Sequence, residues 1–317
     1  RGLLRLQLLT SMRRHVQQHF RDPLIRQLLE FPVLFLGAVA ADTPALYSLM
    51  NHADLELGTW YPMGGMVQVV HAMERIARAR GIDIRTSTEA VRIHTEGRRA
   101  VALELRSAAT EDGAAAPADQ RDLLTADVFV ASADYHHVDS VLLGAGRANY
   151  GARYWAGRTM APSALLLYLG LDRRLDGLEP HTLFFDAILD AQADAIYTRP
   201  RWPEEPLFYT SLPSRTDPGV APPGGEAMMI LVPLAPGLRD DDEQRARIRQ
   251  RVFARFRQHT GIDLEPHIVV ERSYAMRDFS ADYSAFRGNA YGLANTLRQT
   301  AILKPSLRHR RFGNLYY

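Results

Sequence analysis

The hydrophobic period changes along the chain, and each change marks a new kind of element. Leu3 to Phe20 reads as helix. Asp22-Pro23 reads as an N-cap followed by proline at the first helical position, opening a second helix that runs to about Leu29. Behind Gly64-Gly65, the residues Met66, Val70, Met73 and Ala77 recur at helical spacing, which predicts an amphipathic helix that stops at Gly81 and turns one stripe to a core. From Ile82 the period falls to two. Ile82 to Arg85, then Val91 and Ile93, then Val101, Leu103 and Leu105 alternate with polar neighbours as half-buried strands do.

Ala108 to Gln120, rich in alanine and acidic residues, reads as a solvated hairpin connection. Asp127 to Ala131 is nearly all apolar and predicts a central strand covered on both faces. Further strands are expected over Ser163 to Gly170, Thr182 to Phe185, Leu207 to Leu212, Met228 to Val232 and His267 to Tyr274. One long helix interrupts them, opening at Asp240-Asp241-Asp242-Glu243 and ending before Gly261, with acidic residues at its positive pole. Asp241 with Arg245 and Glu243 with Arg247 are i,i+4 pairs there, and Ile248, Val252 and Phe256 form its buried stripe.

Phe31 to Ala41 is the longest apolar stretch, about eleven residues containing Pro32 and Gly37, too short for a membrane span. It reads as a buried segment, or as a surface that dips into lipid or lines an apolar tunnel. The composition, 46% apolar and 23% charged over 317 residues, is that of a folded globular chain and excludes wholesale disorder. A net charge of +2 points to no nucleic-acid partner. The absence of cysteine excludes disulfide staples, thiol nucleophiles and thiolate metal sites.

The chemistry the residues support is narrow. No G-x-G-x-x-G follows a strand, no phosphate-binding lysine loop exists because the sole lysine is Lys304, and there is no G-x-S-x-G elbow. His15 and His19 are four apart on a helix but lack a third ligand, so no metal is expected. His136-His137 beside Asp134 and Asp139 reads as a helix start capped by Asp134 rather than a proton relay. Asp22 and Arg26 share a helical face, either as a surface ion pair or as a proton acceptor kept ionised by the guanidinium.

Several blocks in this order resemble the bacterial-type phytoene desaturases, within the flavin-dependent carotenoid desaturases and isomerases and the amine-oxidase-like flavoproteins. They include Phe20-Arg21-Asp22-Pro23 with Arg26, Thr43-Pro44-Ala45-Leu46-Tyr47, Trp60-Tyr61-Pro62-Met63-Gly64-Gly65, and Pro213-Ser214-Arg215-Thr216-Asp217-Pro218. Later come Arg277-Asp278-Phe279, Gly288-Asn289-Ala290-Tyr291-Gly292-Leu293 and Asn314-Leu315-Tyr316-Tyr317.

The resemblance implies an α/β flavoprotein fold with an α+β substrate region: the central part of a two-domain FAD/NAD(P)-binding architecture, with a mixed-sheet substrate domain and a helical cap. The expected segments are residues 1–62 (helical cap, membrane-proximal), 63–145 (remaining FAD-binding part with a β-meander), 146–285 (substrate sheet and helix) and 286–317 (return toward a C-terminal flavin segment). The chain is expected to begin after the first glycine-rich FAD segment of such proteins and to stop before the second, which puts FAD retention in question.

The implied cofactor is FAD, with Val91, Ala133, Gly64 and Gly65 as cofactor-binding positions. The implied catalytic pair is Asp22, as proton acceptor, and Arg26, which orients it. The implied reaction is desaturation of phytoene, a C40 polyene, with hydride going to the flavin and a proton to a base or water. The alternatives are another reaction of the same scaffold, such as dehydrosqualene or other carotenoid desaturation, carotenoid isomerisation or retinol saturation, and a non-catalytic carrier of apolar ligands. The implied partners are the polyene, an electron acceptor such as oxygen or a quinone, and the inner face of the cell membrane, met peripherally through Phe31 to Ala41 or the Trp60-Tyr61 region.

Overall fold

A computed structural model describes residues 10–36, 38–107, 121–296 and 298–317. They form two compact units, one of residues 1–70, 159–282 and 287–303 and a smaller one of 71–158, 283–286 and 304–317. The main boundaries thus fall at 70/71 and 158/159, where the sequence suggested 62/63 and 145/146.

The elements used below are the helices α1 (Met12–His19), α2 (Pro23–Glu30), α3 (Val67–Ala79) and α4 (Asp242–Thr260). The strands are β1 (Thr88–Glu96), β2 (Arg99–Ser107), β3 (Arg121–Thr125), β4 (Phe129–Val130), β5 (Ser163–Leu171), β6 (His181–Phe184), β7 (Phe208–Ser211), β8 (Glu226–Leu234), β9 (Ile268–Tyr274) and β10 (Leu315–Tyr316).

The larger unit is built on a five-stranded sheet of order β6-β7-β8-β5-β9. All its pairings are antiparallel, which corrects the mixed sheet expected from the sequence. Strict alternation along β8 buries Met228, Ile230, Val232 and Leu234 on one face. With Leu165, Leu167 and Leu169 of β5 they pack on Ile248, Val252 and Phe256 of α4, the stripe its periodicity predicted. Asp241 caps α4 by accepting from Gln244 N at 3.0 Å. Arg245 pairs with Asp240 at 2.7 Å and Asp278 at 2.6 Å, not with Asp241, whose Oδ1 is taken by the cap and whose Oδ2 meets Arg239 at 2.9 Å. Arg247 likewise turns to Gln244 and not to Glu243.

Of the helix expected from Leu3, the first seven residues lie outside the described chain, and α1 begins at Met12 behind a Ser11 cap. Met12 and Val16 pack against Val33 and Ala40. Among the described side chains of the apolar stretch 31–41, Pro32, Val33, Ala38 and Ala40 are buried in packing, while Ala41 is exposed. No helix among the described residues is long and apolar enough to cross a membrane. His15 and His19 meet edge to edge with ring centres 4.9 Å apart.

In the smaller unit β1, β2 and β3 form an antiparallel meander, and β4 pairs in parallel with β10. Residues 108–120, read as the β2–β3 connection, lie outside the described chain. Asn314 ties the two sheets: its Nδ2 donates to Ala100 O at 2.8 Å and Asp127 O at 2.9 Å, and its Oδ1 accepts from Ala100 N.

Three expectations fail. Ile82 to Arg85 forms no strand, since no described strand offers it a ladder. The strand at 127–131 shortens to Phe129–Val130, with Val128 and Val130 exposed, so it is not covered on both faces. No residue of α3 is buried, and Met66, Val70 and Met73 stay mostly exposed. An amphipathic period fixes which residues share a helix face, and a covering element decides whether that face is buried.

Candidate functional site

The sheet face that does not meet α4 floors an open cleft of about 800 Å³ with a largely apolar lining. Cross-strand register explains its composition. His181 faces Ser211, Ser211 faces Met229, Met229 faces Tyr168 and Tyr168 faces Arg272, so one residue from each strand forms a row straight across the sheet. Five strands make that row about 19 Å from edge to edge. Beside it lies a second row, Ala227, Gly170 and Val270, two residues along each strand and hence on the same face. Gly170 is there because a Cβ would stand 2.6 Å from Val270 Cγ1, so a larger residue would push the two strands' side chains apart over the floor. Trp60, Tyr61, Gly65 and Met66 form a wall.

That wall is held by a polar clasp. Gly64 N donates to Asp217 Oδ2 at 2.6 Å, and Asp217 Oδ1 accepts from Gly219 N at 2.9 Å. Gly64 and Gly65 both adopt left-handed φ, +89° and +90°, which a side chain resists, and a Cβ on Gly64 would also lie 2.9 Å from Gln68 Cγ. The negative charge of Asp217 pushes the neighbouring Tyr61 hydroxyl up, after the larger effect of its loss of solvent. At the cleft's edge the buried Glu226 carboxylate is held by Arg174 Nη1 at 3.0 Å, Leu175 N at 3.2 Å and the Ser214 hydroxyl. The block Pro213 to Pro218 thus supports the cleft twice, through Ser214 and through Asp217. Sequence reasoning missed His181, Tyr168, Met229 and Arg272, and the two-residue alternation of their strands was the signal that puts each on one face.

Neither Asp22 nor Arg26 lines this cleft. Asp22 Oδ1 caps α2, accepting from Leu24 N at 2.8 Å and Ile25 N at 3.1 Å. Arg26 Nε donates to Phe20 O at 2.7 Å, and no ion pair joins it to Asp22 among the described residues.

The two positions of the smaller unit expected to meet the cofactor lie on one of its sheets, Val91, and just past the end of the other, Ala133. Val91 is half-buried and falls in a β-bulge, with no cross-strand partner between Ala90 and Arg92, so its backbone groups stand outside the β1–β2 register. Ala133 is exposed just beyond the carboxyl end of β4, the end at which parallel α/β sheets take ligands. A bulged backbone and a strand's carboxyl end both suit a dinucleotide. Next to Ala133, Asp134 caps the following helix through His137 N at 3.0 Å, and His136 stacks on Phe286 at 3.9 Å. Asp139 is buried as the acceptor of Asn149 N, Tyr150 N and Tyr317 Oη. These bonds commit the group to structure, as the capped-start reading expected. Among the described residues no group of three or more His, Asp or Glu is placed to hold a metal ion.

Residues 3–317 match the family described as flavin containing amine oxidoreductase. The chain belongs to that family. This amine oxidoreductase chain is 38% identical over 312 residues to a carotenoid 3,4-desaturase of Haloarcula japonica, covering 98% of itself and 60% of that protein. It is 30% identical to a zeta-carotene-forming phytoene desaturase of Myxococcus xanthus, over 95% of itself and 56% of the relative. The chain therefore spans about 60% of the length of these relatives. Among solved structures it is similar in fold to a redesigned putrescine oxidase, with a TM-score of 0.57 at 12% identity over 100% of this chain and 63% of the other. An oxidoreductase of Methanosarcina mazei matches at 0.55 and 15% identity, over 97% and 62% of the two chains.

Proposed function

We propose that this chain forms the substrate region and part of the cofactor region of an FAD-dependent desaturase acting on a carotenoid polyene, with phytoene as the substrate. The observation that carries the reading is the apolar cleft on the open sheet face, whose floor of Tyr168, Met229, Gly170 and Val270 suits a long hydrocarbon and offers it little but dispersion and exclusion of water. The similarity to carotenoid desaturases supports the same choice.

FAD, when bound, supplies the two-electron acceptor chemistry. In this reading the backbone at Val91 and Ala133 holds the dinucleotide, and Gly64 and Gly65 make the tight positive-φ turn that carries the cleft wall, Gly65 lining it directly. The cleft orients the polyene and keeps water out. Asp22 does not line the cleft, so in this reading it takes the proton by way of water at Oδ2, the oxygen its cap leaves open; oxygen or a quinone would serve as the final electron acceptor.

A polyene resides in lipid, so the protein is proposed to dock on the inner face of the cell membrane without spanning it. Leu24 and Leu28 on α2, together with Leu55, Leu57 and Trp60, are exposed apolar side chains that suit this. Asn51 Nδ2, donating to Leu29 O at 3.1 Å, links the two helical segments that carry them.

The test is expression of the gene product, with FAD available, in cells that accumulate phytoene and in cells that accumulate later carotenoids. New absorption bands at longer wavelength in phytoene cells support the reading; conversion only of a later carotenoid moves the substrate along the series. Stoichiometric polyene binding without conversion would favour a carrier.

A further inference from the structure

The smaller unit has a second cavity, of about 500 Å³, and four of its lining residues are arginines: Arg98, Arg308, Arg310 and Arg311. None of the four has an ion pair with a carboxylate among the described residues, whereas Arg245 and Arg249 in the other unit each bridge two acids. Their contacts are neutral. Arg308 Nε donates to Gly313 O at 3.0 Å, Arg310 lies 4.7 Å over the Tyr150 ring and donates to its hydroxyl at 3.2 Å, and Arg311 lies 5.4 Å from the Phe312 ring. These contacts orient a guanidinium and leave most of its five donors open.

The loop that presents three of them is fixed from inside. His309 is buried; its Nδ1 accepts from Arg311 N and Phe312 N, both at 3.0 Å, and its Nε2 donates to Arg147 O at 3.0 Å. Arg310 N donates to Asn149 Oδ1 at 2.9 Å, and Arg308 N to Ser306 Oγ at 3.3 Å. The backbone of residues 308–312 is therefore pinned while the side chains at 308, 310 and 311 stay exposed. Arg98 joins them from the β1–β2 turn, where its carbonyl accepts from Gly313 N at 3.2 Å.

This loop leads into the amino end of β10, and Ala133 follows the carboxyl end of its parallel partner β4. Dinucleotides bind parallel sheets at the carboxyl end, so the arginine cavity is separate from the proposed cofactor positions.

We propose that Arg98, Arg308, Arg310 and Arg311 form a binding site for a phosphate group carrying two or more negative charges. Unpaired arginines on a rigid loop match such an anion, since each guanidinium offers a planar fork to phosphate oxygens. The phosphate belongs either to a soluble phosphate ester or to a phospholipid headgroup.

Calorimetric titration with inorganic pyrophosphate, and co-sedimentation with phosphatidylcholine vesicles with and without phosphatidic acid, separate the two sources. Three proteins are compared: the unaltered chain, the pair Arg98→Gln/Arg311→Gln, and a control pair Arg173→Gln/Arg298→Gln that removes the same charge from exposed positions elsewhere. Saturable pyrophosphate binding about tenfold weaker in the first pair and unchanged in the control supports a soluble ligand. Vesicle binding that needs phosphatidic acid and is lost only in the first pair supports the headgroup. Equal losses in both pairs, or no binding in either arm, would overturn the site. Matching melting temperatures of the three proteins exclude a folding effect.

Discussion

Gly64 donates its backbone N–H to Asp217 Oδ2 at 2.6 Å, joining positions 153 residues apart and fixing the glycine turn to the segment between β7 and β8. Two blocks that carry the family resemblance therefore meet in one hydrogen bond. Asp217→Ala leaves the N–H groups of Gly64 and Gly219 without their acceptor and is expected to cost roughly 1–3 kcal/mol. Asp217→Asn, which keeps one acceptor oxygen, should lose less. Gly64→Ala, at φ +89°, should cost about 1–2 kcal/mol through backbone strain. Denaturant midpoints of the three variants check this order.

Asp22 has a structural duty that its proposed chemical one must be separated from. Asp22→Ala removes the α2 cap and should destabilise by about 0.5–2 kcal/mol, whereas asparagine is as good a cap. Asp22→Asn is therefore expected to keep its melting temperature and to slow pigment formation. Full colour in that variant removes Asp22 from the reaction.

His309 is expected to make the smaller unit acid-sensitive. Burial pushes its imidazole pKa below the ordinary value of 6.5, outweighing the Arg147 carbonyl and Asp139, which act the other way. The unfolded chain then binds a proton that the folded chain resists, so stability present above about pH 6.5 is lost as the pH falls below it. Melting temperature is expected to drop between pH 7.5 and 5.5, about the range in which an unperturbed histidine titrates. The drop should shrink in His309→Gln, relative to that variant's own value at neutral pH.

Met229 sits mid-row on the cleft floor, between Ser211 and Tyr168. Met229→Glu introduces a charge that an apolar ligand cannot solvate, at a position open enough to keep the charge wet in the empty protein. Binding of a fluorescent polyene should weaken at least about tenfold with little change in melting temperature, given roughly 1.4 kcal/mol per decade. Unaltered affinity would move the ligand away from this face.

The legible part of the molecule was local. The strand expected over Met228 to Val232 and the helical stripe Ile248, Val252, Phe256 named elements of the larger unit, because side-chain period follows backbone geometry. Asp22-Pro23 announced α2, because a cap needs only the residues next to it. The cap at Asp134 was readable for the same reason.

Register and partner choice were not legible, and burial was legible for α4 but not for α3 or the strand at 127–131. Whether Arg245 meets Asp241 or Asp240 depends on where the segment carrying Asp278 arrives, and whether Val91 enters the ladder depends on a bulge against Leu105 and Glu104. The cleft row from His181 to Arg272 draws one residue from each of five strands, whose alignment is set by pairings distant in sequence. Sequence alone determined the period of each element, an affair of neighbouring residues. Tertiary structure decided which faces are covered and which charges meet, because burial and Coulomb attraction depend on what lies across space.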